Sequence, residues 1–422
     1  MKRKPILVAL AFAAGLAGPA GPAARAGINV LHTFTDSPGD GARPSGSLTL
    51  SGTKLYGMTS NGNTTGNGEI FSMNTDGSGY GLLHAFTAGA ADGARPAGSL
   101  SLAGTKFYGM TSDGGSGSGT AFAMNTDGSG FSLLHSFSGG VGDGTVPYGS
   151  LTLSGTKLYG MTYSGGNAVA TGTGTLFSMN TDGSGFGLLH TFTGGIADGA
   201  NPRGSLTLSG TKLYGMTSTG GSGGGAIFGM NTDGSGYGLL HIFNGGFFDG
   251  SNPAGSLTLS GAKLYGMTNI GGSGDTGTLF SMNADGSGFG LLHAFTGGTG
   301  DGANPFGSLT LSGTKLYGMT HNGGGANDGT IFSVNTDGTG YTMLESLVGG
   351  ASSGAFPVGD ITLSTDALTL YGMTNFGGGS NAGIVFSKPV PEPASGVLLL
   401  AGLSVLVLAR RRAITGAAHP AS

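Results

Sequence analysis

Cysteine and tryptophan are absent from the 422 residues, charged residues make up only 9%, and glutamate occurs at Glu69, Glu345 and Glu392 alone. Without cysteine there are no disulfide staples, so an exported chain must be stable through its fold. Scarce glutamate leaves little material for hydrolysis by a facing pair of carboxylates. Positive charge is also thin: seven of the 17 basic residues lie at the two ends, leaving 10 against 20 Asp plus Glu between residues 27 and 388. Displacing counterions from phosphates needs a basic stripe, so no nucleic acid is expected as a partner. Apolar residues at helical spacing over ten residues are missing from the body, and the every-third glycine of collagen is missing as well.

What is abundant is glycine: 93 residues, which with 15 prolines make about a quarter of the chain. That share is usual in low-complexity segments. Disorder, however, goes with high charge and low hydrophobic content, and here 37% of residues are hydrophobic. The composition therefore describes a regular fold with very many turns.

The ends read as addresses. In residues 1–26, Lys2, Arg3 and Lys4 precede an apolar run over 6–16, and Ala24-Arg25-Ala26 gives a small-x-small cleavage pattern. This is a secretory signal, with an uncleaved anchor as the alternative, and Gly27 is the expected mature start. At the other end Pro391-Glu392-Pro393 precedes an apolar run over 396–409 and then Arg410-Arg411-Arg412. The run is shorter than the ~20 residues of a membrane span, and the arginines orient the C-terminus inward. These three elements in this order resemble the PEP-CTERM sorting signal of exported bacterial proteins. The resemblance implies a segment 389–412 processed by an exosortase-type enzyme, with membrane anchoring before processing and a tail at 413–422. An ordinary single-pass anchor is the alternative. Either way the body lies outside the cytoplasm, in the envelope, at the cell surface or in the extracellular matrix.

The body, 27–388, is a repeat. Tyr-Gly-Met-Thr recurs with its tyrosine at 56, 108, 159, 214, 265, 317 and 371, and a fixed period of this length marks a repeat architecture. Each period holds four short apolar segments between turn signals, in the first copy 47–50, 54–59, 69–74 and 80–86. Their length and borders are those of strands, so the body is all-β. The chain starts with a fourth strand (28–34) and ends with a third (384–388). Seven sets of four are complete only if the N-terminal strand pairs with the last copy. The expected fold is a seven-bladed β-propeller closed by that strand, which protects the sheet edges; a β-solenoid with capping repeats is the alternative. The Lys-Leu-Tyr-Gly-Met-Thr strand, its Gly-Gly loop and the Phe-Ser-Met-Asn-Thr-Asp-Gly hairpin resemble GloVer-type tandem repeats of bacterial surface proteins. That resemblance implies a surface repeat protein and brings no activity with it.

Two recurrent polar positions suggest metals and then argue against them. Asp40, Asp92, Asp143, Asp198, Asp249 and Asp301 stand in the crossover loops, one per loop, far from the six to eight oxygens of a calcium site. Each reads as a turn cap before proline. Six histidines, His84 among them, lie one per blade on fourth strands, too dispersed for zinc. Alternation places Leu82, His84 and Phe86 on one face, buried between blades. No metal, cofactor or catalytic residue is expected. What varies is the loop face, where Tyr148, Tyr163, Phe247, Phe248, Phe306 and Phe376 have no aromatic counterpart in most copies. Arg43, Arg95, Asn201, Asn252 and Asn304 stand just before the loop proline. Aromatic faces with a few polar groups suit an extracellular polysaccharide or another envelope component. The expected function is a non-catalytic binding module. The alternatives are a polysaccharide-degrading enzyme, to which Asp113, Asp275 and Asp328 could contribute, and a purely structural matrix protein.

Overall fold

The computed structural model describes residues 27–62, 64–166 and 172–391. The secretory signal and the sorting residues Glu392, Pro393, Arg410, Arg411 and Arg412 lie outside the described residues. All regular structure among the described residues is β, in seven blades of four antiparallel strands. Blade 1 comprises Thr49–Ser51, Lys54–Gly62, Glu69–Asn74 and Gly81–Ala85, and the other blades repeat this order. In blade 7 the fourth strand is Asn29–Thr33, which pairs antiparallel with Ile384–Pro389, Asn29 opposite Ser387. The ring is closed as the strand count requires, and the solenoid is excluded.

Glycine fits the blades to one another. Gly57 lies opposite Phe71, whose ring crosses its backbone; a Cβ there would sit 2.5 Å from the ring. The same contact recurs in all seven Tyr-Gly-Met-Thr strands, which is why a residue poor in β propensity occupies a strand centre. At the axis, a Cβ on Gly46 would meet the Gly98 carbonyl oxygen at 2.1 Å, and this approach repeats blade by blade until Gly359 meets Gly46.

The hydrophobic core is divided into seven clusters, one per cleft between blades. In one, Tyr56, Met58, Ile70 and Phe86 of blade 1 pack on Leu100, Phe107, Phe122 and Met124 of blade 2. The closing cleft follows the same plan, with Phe34, Tyr371, Met373 and Val385 against Leu48, Leu55, Phe71 and Met73. The expected alternation on the fourth strand is corrected by a bulge: Ile70 pairs with His84 but Phe71 with Leu82. Leu82 is consequently 42% exposed, while Leu83 joins Phe86 at the cleft.

Candidate functional site

The strand order puts the two hairpins of each blade on one face and its longer connections on the other. There the crossover pairs with the loop after the second strand, as in Gly93–Ala94 with Asp113–Gly114. The residue before the crossover proline adopts left-handed backbone in every blade, at Arg43, Arg95, Val146, Asn201, Asn252, Asn304 and Phe356. Its N–H latches onto the preceding loop, as Arg43 N does on Ala382 O at 2.7 Å. Asparagine tolerates this conformation; arginine, valine and phenylalanine are strained in it. The turn and the proline carry the chain from rim to axis, so the next residue reaches the channel mouth.

Those next residues are Ser45, Ala97, Tyr148, Arg203, Ala254, Phe306 and Val358, one per blade, and they line a cavity of about 290 Å³. Its floor is the glycine ring and the residues that follow it. There the Ser47 N–H donates to Ser99 Oγ at 2.8 Å, and the relay passes through Ser150, Ser205, Ser256 and Ser308. Ser308 donates to Asp360, whose own N–H returns to Ser47 Oγ at 2.7 Å. A parallel circle of Thr and Ser hydroxyls bonds the carbonyls of the next blade, Thr362 closing it on Leu48 O at 2.6 Å. Burial raises the Asp360 pKa against the hydrogen bonds that would lower it.

The structure brings together most of the aromatics expected from the sequence. Tyr148 meets Tyr163 edge-on at 5.3 Å, and the Arg203 guanidinium lies over Tyr163 at 5.2 Å. Farther round, Phe306, His321, Phe356 and Phe376 form an edge-to-face chain, ending where Arg43 covers Phe376 at 5.0 Å. Burial lowers the His321 pKa to about 4, so its ring is neutral at neutral pH. Phe247 and Phe248 pack on each other in a rim loop, 61% and 82% exposed, away from the residues that line the cavity. The pre-proline polar residues serve the loops. Asn201 and Asn304 donate to the carbonyls of Tyr163 and Asn269, each at 3.0 Å. Arg95 faces Asp113 at 3.5 Å, and Asn252 takes the same left-handed turn.

Sequence reasoning missed Arg203, Asp360, His321 and Phe356. The signal was available: Arg203 shares the post-proline register with Tyr148 and Phe306, and Asp360 replaces the serine of every other blade. It also treated histidine and aspartate separately, whereas they are partners. His84 Nε2 lies 3.0 Å from Asp92, and five further pairs stand at 2.9–3.1 Å. Each histidine stacks on an aromatic of the next blade, as His84 does on Phe131 at 3.9 Å. Burial opposes ionisation of these aspartates, but hydrogen bonds from histidine and loop outweigh it, and Asp301 is lowered to about 2. Spread round the rim, the pairs are clamps between blades. No group of three or more metal-ligating side chains occurs among the described residues.

A closed ring of seven near-identical blades, varied mainly at the loops of one face, defines a repeat β-propeller. The chain belongs to the Gloeobacter/Verrucomicrobia repeat family, whose pattern matches residues 22–224 and 170–386. It also carries the PEP-CTERM protein-sorting motif at 389–413, which marks export, sorting in the cell envelope and processing by an exosortase. No curated protein matches the sequence. Among solved structures, the chain is similar to an oligogalacturonate lyase in complex with manganese (TM-score 0.54, 11% identity, covering 87% of this chain and 97% of that one). It is also similar to a candidate 6-phosphogluconolactonase from Bacteroides uniformis (TM-score 0.50, 18% identity, 77% and 88%). At these identities the likeness is one of fold.

Proposed function

We propose that the protein is a non-catalytic binding module of the cell surface, displaying its loop face to extracellular polysaccharide or another envelope component. In this reading residues 1–26 are removed on export and the body 27–388 is held by the C-terminal segment until processing. The observation that carries it is the post-proline register. Seven blades that are otherwise close copies place seven side chains of differing size and polarity around one cavity. A rigid scaffold with variation confined to converging loop residues is the usual form of a recognition site. Both described ends support the display, because Asn29 begins and Pro389 ends on the hairpin face, opposite the cavity.

A polysaccharide-hydrolysing reading needs two carboxylates facing one bond. The cavity lining contributes Asp360 alone. Asp275 is occupied by the Gly271 N–H at 3.0 Å and Asp113 by Arg95. The test is a glycan array with the mature protein. Binding is expected, and Tyr148→Ala with Phe306→Ala should abolish it without lowering the unfolding midpoint. Failure to bind across a broad array removes the polysaccharide reading, and release of cleavage products would favour the enzyme.

A further inference from the structure

We infer that the cavity at the channel mouth is a site for the carboxylate of an acidic sugar, a uronic acid, with Arg203 as its anchor. This rests on the loop face being the binding face and names the class of sugar it takes.

The lining is rich in donors and poor in charged acceptors. Arg203 is the cationic residue among the lining side chains. Its Nε is buried without a hydrogen-bond partner, and among the described residues no carboxylate pairs with it. Tyr163 orients the guanidinium through its ring face rather than neutralising it. On the floor, Ser99, Ser150, Ser205 and Ser256 each accept an N–H at Oγ. A hydroxyl that accepts in this way still has its own proton to give, and these four serines line the cavity. Asp360 is the one carboxylate of the lining, and burial there disfavours its charged form.

Shape and charge narrow the class. A cavity of about 290 Å³ is small for a ligand site and suits a single sugar ring. Tyr148 and Phe306 stand on either side of Arg203 and Ala254, flat surfaces flanking a charged group and a gap. A planar guanidinium matches a carboxylate through two parallel hydrogen bonds. A phosphate dianion would ask for more positive charge than one guanidinium supplies.

The test is calorimetric titration of the mature protein with D-glucuronate, D-galacturonate, D-glucose, acetate and polygalacturonate. Both uronates are expected to bind at least about tenfold more tightly than glucose or acetate, a tenfold step being the scale of one charge-assisted contact. Arg203→Gln should erase that preference and Arg203→Lys should keep part of it. Phe306→Ala should weaken uronate and leave acetate unchanged, and it reads the same site should Arg203→Gln fail to fold. Monomer and polymer titrations separate a site for a free or terminal sugar from one for residues within a chain. A neutral glycan bound equally by native protein and Arg203→Gln overturns the carboxylate site while leaving the binding face in place. Absence of any glycan binding overturns both.

Discussion

Asp360 is the residue at which the sevenfold ring is broken. Six blades close the relay with a serine; the seventh uses a carboxyl group that burial holds toward its neutral form. A carboxyl whose folded pKa is raised favours the native state fully below its unfolded value, near 4. That contribution is lost as pH rises through the raised value. Asp360→Ser restores the uncharged circle. It is expected to change stability little at pH 4 and to raise it at pH 8 by on the order of 1–2 kcal/mol, a few degrees in the unfolding midpoint. Thermal unfolding at both pH values checks this, and an equal gain at both would sink it. The six clamp aspartates run the other way: their pKa values are lowered, so their contribution is present at neutral pH and is lost as pH falls through those lowered values.

At the scale of the strand, the junction between blades 6 and 7 departs from the pattern. The histidine is replaced by Glu345 and the clamp aspartate by Ser353. Lys388, in the position of Met73, is 2% exposed and bonds Glu345 at 2.8 Å. Lys388→Ala removes a side chain packed in the cleft and leaves the partly buried Glu345 carboxylate without its counter-ion, so it should cost about 3 kcal/mol in denaturant unfolding. Replacing the pair with the residues of the other blades, Lys388→Met with Glu345→His and Ser353→Asp, should recover most of that loss. Failure of the triple variant to exceed the single one would show that the ion pair has no equivalent in the clamp.

The same junction shows what the sequence makes legible. Strand number, closure and the loop face follow from repetition, because each Tyr-Gly-Met-Thr marks a blade and the count leaves one strand over before the first blade and one lacking in the last. The clamps were hidden because alternation fails at the bulge that separates Leu82 from His84 and brings His84 to Asp92. The cavity was half visible. Tyr148 and Phe306 stand out as aromatics, but Arg203 and Asp360 acquire meaning only when seven equivalent positions converge on one axis.

For the whole molecule, the closing strand carries the greatest structural burden. Deleting residues 27–34 would expose the edge of Ile384–Pro389 and remove Phe34 from the closing cleft. An unpaired edge of this kind templates association. The truncated mature chain is expected to elute from size exclusion as oligomers or aggregate, and to lose its single cooperative unfolding transition. A monomer with the native midpoint would mean that the first strand is dispensable.

The pairing of Asn29 with Ser387 also sets a schedule. A chain exported from its N-terminal side presents Asn29–Thr33 before any blade, and this strand must wait for a partner that emerges after six blades, immediately ahead of the sorting motif at 389–413. Contacts so distant in sequence form slowly, since a long loop must close before they are rewarded. Blades 1 to 6 have their strands in hand while export continues; the ring does not. Its completion and the arrival of the sorting motif fall at the same moment, so a chain handed on for processing before the first strand docks would still be an open arc.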